Sequence, residues 1–223
     1  MHKKGIFIVG LIGIIAASCT KHEIIPAPTP SVDLKCSFQG DIGGAFVEYT
    51  ENVDNYTCFP SIAKQTLNGI TNAQYLFSMS STSQIQSVQI AMGSLSWSDP
   101  TGTQTPALTL FNSFFTANDM PNYSDLALNG FEVTYRDATG LYWKSDEASP
   151  LAQTVAFNPN TIKQESDASG DYSLFTCDFA CPVYHTYVVV DISVIPQTTP
   201  PTMRDSVASI LIENAIYKGY FKR

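Results

Sequence analysis

"LKCSFQGDIGGAFVEYT", Leu34 to Thr50, reads as a β-hairpin: a strand up to Gln39, a glycine-rich turn through Gly40, Gly43 and Gly44, and a return strand from Ala45 to Thr50. Glycine supplies the positive φ that tight hairpin turns require. The same punctuation continues outward, with short β-like runs divided by Gly, Asn, Asp and Pro. Strands are expected over Ala73 to Ser80, Ile85 to Trp97, Phe131 to Arg136, Leu141 to Lys144, Thr154 to Phe157, Tyr172 to Phe179 and Tyr184 to Ile195. The closing stretch "SVASILIENAIYKGYFKR" reads as a final hairpin turning near Asn214.

One segment departs from the strand period. In "TPALTLFNSFFTAND" the apolar residues at 107, 108, 110, 111, 114 and 115 fit a helical face, with Thr105 as N-cap and Pro106 at the first helical position. Many strands and almost no helix predict a mainly β fold, an antiparallel β-sandwich of immunoglobulin-like or jelly-roll-like kind with one short helix, over residues 34–223.

The chain opens differently. "MHKKGIFIVGLIGIIAAS" combines Lys3 and Lys4, an apolar run from Ile6 to Ala17 and then small residues, the layout of an export signal. That run is shorter than the about 20 residues of a membrane span. The next residues, Ala16-Ala17-Ser18-Cys19, resemble the lipobox of bacterial lipoproteins. The resemblance implies cleavage after Ser18 and acylation of Cys19. It also implies a lipid-anchored protein at the outer membrane, on its periplasmic face or at the cell surface. Residues 19–33, with three prolines among small residues, would then be an extended tether. The closing "IYKGYFKR" resembles the end of uncharacterised Bacteroidota-type lipoproteins, a likeness that carries no activity. "DSV" at Asp205 to Val207 resembles the O-glycosylation motif of exported proteins of that group.

The chain holds 12 Lys+Arg against 20 Asp+Glu, and loss of Lys3 and Lys4 leaves a mature balance of 10 against 20. Such acidity argues against nucleic acid as a partner. After Cys19 come Cys36, Cys58, Cys177 and Cys181, an even count that fits two disulfides with three possible pairings. Proximity favours Cys36 with Cys58 and Cys177 with Cys181. In one continuous strand, however, Cα atoms four residues apart lie about 13 Å from each other, beyond the roughly 7 Å limit of a bridge. The local pairing thus needs a bend at 177–181, and a cross pairing is its rival.

Catalytic chemistry finds little to stand on. The mature chain has His22 in the tether and His185 in a strand, with neither a Gly-x-Ser-x-Gly elbow nor a His-Glu-x-x-His helix. Cys177-x₃-Cys181-x₃-His185 could offer soft ligands, but its spacing is unlike that of zinc fingers. No catalytic residue, metal or cofactor is assigned, and a hydrolase is the third reading.

The best functional signal is aromatic. Trp97, Trp143 and Tyr142 lie in or beside turns, where flat rings can bind sugar. The expected role is binding or structural work, with a protein or glycan partner at the envelope. Three tetrads, Asp99-Pro-Thr-Gly102, Asp137-Ala-Thr-Gly140 and Asp167-Ala-Ser-Gly170, could hold a metal or a sugar, but each has one acid before its glycine and reads first as a turn.

Overall fold

The computed structural model describes residues 31–125, 128–193 and 200–223. The export signal, Cys19 and most of the tether therefore lie outside the described residues, as does the end of the strand expected to reach Ile195.

The described residues are mainly β, with one short helix. Its strands are β1 (Ser37–Ile42), β2 (Ala45–Thr50), β3 (Tyr56–Leu67), β4 (Ile70–Ser81), β5 (Ser87–Ser98), β6 (Phe131–Arg136), β7 (Tyr142–Lys144), β8 (Thr154–Phe157), β9 (Lys163–Asp167), β10 (Gly170–Val190) and β11 (Met203–Lys222). The helix, α1 (Leu108–Ala117), lies between β5 and β6. Among the described residues all strands join a single 11-stranded sheet of order β2-β1-β11-β10-β7-β6-β5-β4-β3, with β8 and β9 also paired to β10. Every strand ladder is antiparallel.

The sheet curls into a half-barrel because its inward side chains are large aromatics that meet across the hollow. Phe77 of β4 lies with its ring centroid 5.1 Å from that of Tyr220 and 5.5 Å from that of Tyr217, both on β11, and 5.7 Å from that of Phe175 on β10. Gly219 makes this approach feasible, since a Cβ there would overlap the Phe77 ring. Tyr217 also donates its hydroxyl to the Val88 carbonyl at 3.0 Å, tying β11 to β5. Helix α1 adds Phe111 and Phe115, which pack edge-on to Tyr75, while Phe115 stacks on Phe221 at 4.7 Å. It begins at Leu108 behind Ala107, which makes no side-chain cap, so Thr105 and Pro106 precede the helix instead of opening it.

The opening hairpin forms as β1 and β2, turning at Gly43 and Gly44 with φ of 61° and 81°. Three features differ from expectation. Strands β10 and β11 run 21 and 20 residues without a break, where the sequence suggested two shorter strands and a terminal hairpin. Asn214 does take a positive φ of 52°, but as the extra residue of a bulge within β11, donating its side-chain amide to Asp41 at 2.8 Å. Second, β3 and β9 were not foreseen: β3 contains Pro60, which an edge strand tolerates, and β9 is almost wholly polar. Third, Val32 is already part of the domain, its amide donating to the Asp167 carboxylate at 2.9 Å.

Candidate functional site

The tetrads resolve into turns held by their own aspartates. Asp137 Oδ1 accepts from the Thr139 amide at 2.8 Å, the Thr139 hydroxyl at 2.6 Å and the Leu141 amide at 3.0 Å. Gly140 closes that turn at φ 90°. Burial works against the charge of Asp137, but these donors and the Trp143 indole outweigh it and hold the carboxyl at about 2. Asp167 has the same arrangement with Ser169 and is likewise lowered to about 2, chiefly by the Ser169 hydroxyl and the Val32 amide. Asp99 is fully buried and accepts from Thr71, Thr101 and the Gln104 amide, each at 3.1 Å. Among the described residues the three aspartates do not gather into a cluster of cation ligands; the grouping that forms is Cys36, Glu51 and Cys58.

In that grouping Cys36 and Cys58 are bonded to each other, joining β3 to the segment just before β1. Cys177 and Cys181 are free thiols buried on β10. The expected second bridge is corrected by the strand itself: both cysteines face the core from one extended segment, too far apart to meet. Burial pushes the Cys181 thiol up to about 12 and raises Cys177 as well, which makes both poor nucleophiles.

The aromatic residues part company. Trp97 is buried in β5, where it is a core residue with Lys64 Nζ over its ring at 5.4 Å. Trp143 is half-buried, its indole N–H donating to Asp137 Oδ2 at 2.8 Å and its ring centroid 5.5 Å from that of His185. Trp97 is thereby removed from the surface, and Trp143 is held in place by its indole bond. Alternation along β7 then turns Tyr142 and Lys144 the other way, and Tyr142 is 56% exposed.

Tyr142 borders a groove of about 430 Å³ with Asp125, Glu132, Lys144, Asp146 and Tyr184. Lys144 Nζ pairs with Glu132 at 3.0 Å, and Arg136 lies over the Tyr142 ring at 5.3 Å. His185 Nδ1 lies 2.9 Å from the Tyr142 carbonyl oxygen, so the histidine pins β7 to β10 at the groove wall. The polar lining went unnoticed in the sequence because Glu132, Asp146 and Tyr184 come from three separate segments; only the i, i+2 relation of Tyr142 and Lys144 was there to find. A second groove, of about 830 Å³, runs over Met120, Tyr123, Ala156 and Ile216 and contains none of the candidate binding residues named from the sequence.

Comparison of the chain with protein-family models, curated proteins and solved structures finds no match.

Proposed function

We propose that this is a lipid-anchored envelope protein whose half-barrel holds a partner at the Tyr142 groove, far along β10 from where the chain enters the domain, with a binding or structural and non-catalytic role. The anchor rests on Ala16-Ala17-Ser18-Cys19, and the outer membrane is the site this reading favours. One observation carries it. The chain enters the domain where Val32 bonds Asp167, at the beginning of β10, whereas the Tyr142 groove meets β10 at Tyr184 to Thr186. At about 3.3 Å per residue the two lie about 45 Å apart along the strand. A polar groove at that distance from the point of entry is suited to receiving a partner. The finer reading of the half-barrel as a sandwich draws support from the facing of Phe77 against Phe175 and Tyr217.

A glycan is the second reading, favoured by the exposed Tyr142 ring beside Glu132 and Asp146. Metabolic palmitate labelling tests the anchor: the wild-type chain should label and stay with membranes, and Cys19→Ser should do neither. A Cys19→Ser protein that still labels would sink the anchor assignment.

A further inference from the structure

Beyond Tyr184, whose ladder partner is Lys144, no strand pairs with the outer edge of β10 among the described residues. Its other edge stays paired to β11 as far as Val190 and Met203, so this part of the molecule is a two-stranded ribbon. Ribbons of two strands are marginal in water, and unpaired edges invite further strands. Both faces of this ribbon carry exposed apolar side chains, Val188 and Val207 at 60% each on one face and Tyr187 at 43% on the other.

Several other edges of the sheet carry residues that discourage strand addition. Strand β3 has Pro60 and Lys64, β2 has Glu48, β9 has Lys163, Glu165 and Asp167, and the free part of β11 has Arg204 and Asp205. The β10 edge, Thr186-Tyr187-Val188-Val189-Val190, has none and consists of strong strand formers. It also runs directly into the Tyr142 groove, whose lining includes Thr186.

We infer that this edge receives an extended polypeptide strand from a partner protein, added antiparallel so that its carboxyl-terminal end enters the groove with a basic side chain. Direction follows from the antiparallel habit of the whole sheet: a strand antiparallel to β10 runs from Val190 toward Tyr184. The charge follows from the lining, where Asp125, Glu132 and Asp146 face one lysine that Glu132 already pairs. Main-chain bonds would supply affinity, and the groove would select the basic end. This inference rests on the proposed partner-holding role.

Fluorescein-labelled peptides TVTVTVK and TVTVTVE, titrated against the full mature chain in lipid nanodiscs with empty nanodiscs as blank, test it. Saturable binding is expected, at least tenfold tighter for the lysine peptide, with amide-exchange protection over residues 186–190. Val188→Lys should weaken both peptides at least tenfold, and Asp146→Asn should narrow the preference between them while leaving the edge intact. Absence of saturation, indifference to Val188→Lys, or a dimer of the chain that excludes the peptide would overturn strand addition. A partner crosslinked in cells near Tyr187 despite silent peptides would overturn strand addition alone and leave the proposed function standing.

Discussion

Trp143 donates its indole N–H to Asp137 at 2.8 Å across the β6–β7 turn, so the turn and the tryptophan form one unit. Replacing Asp137 by Ala removes the acceptor for two side chains and two amides together. A loss of about 1–2 kcal/mol is expected, together with a shift in Trp143 fluorescence. Urea unfolding followed by fluorescence checks both.

Acid should act through the same turns. Asp137 and Asp167 lie at about 2 in the folded chain, below their ordinary 3.8, so the unfolded chain binds protons more readily. Their stabilisation is complete above the ordinary value and fades as pH falls from about 4 toward 2. Melting temperatures across pH 2 to 6 should fall at the acid end, and less steeply in Asp137→Asn.

The thiols should separate sharply. Native protein should leave Cys177 and Cys181 unmodified by maleimide, while denatured, non-reduced protein should take up two labels; mass spectrometry reads the difference. Loss of the Cys36–Cys58 bridge, with its separation of 22 residues, should cost about 2–4 kcal/mol.

Curling of the sheet is tested at Gly219 and Phe77. Gly219→Val places side-chain atoms in the Phe77 ring and should destabilise strongly, and Phe77→Ala should cost about 3–5 kcal/mol. Combined, the two should cost less than their sum, because the cavity left by one accommodates the other.

Much of the β pattern was legible because one face of each hairpin is buried. Phe131, Val133 and Tyr135 alternate inward, and β6 and β8 fall where the period places them. Length was harder to see. Nothing local distinguishes a turn at Asn214 from a left-handed bulge residue inside a long strand; the flanking ladders to β1 and β10 make the choice. The curl was hidden for a similar reason, since it depends on Phe77 meeting Gly219, residues far apart in the chain. For the candidate site, Tyr142 was found and its direction was not. Trp97 and Trp143 turned out to be buried or tethered, because a large ring beside a turn also serves to cover the core.

The partner-holding claim is tested most directly by photocrosslinking in intact cells, with a photoreactive residue in place of Tyr187 in one strain and of Ser169 in another. The first position lies at the groove end of β10 and the second in the turn that precedes β10, next to the Val32–Asp167 bond where the chain enters the domain. One reproducible protein adduct from position 187, and none of that protein from 169, is the predicted result. Adducts from 169 alone, or no protein adduct from 187, would contradict it.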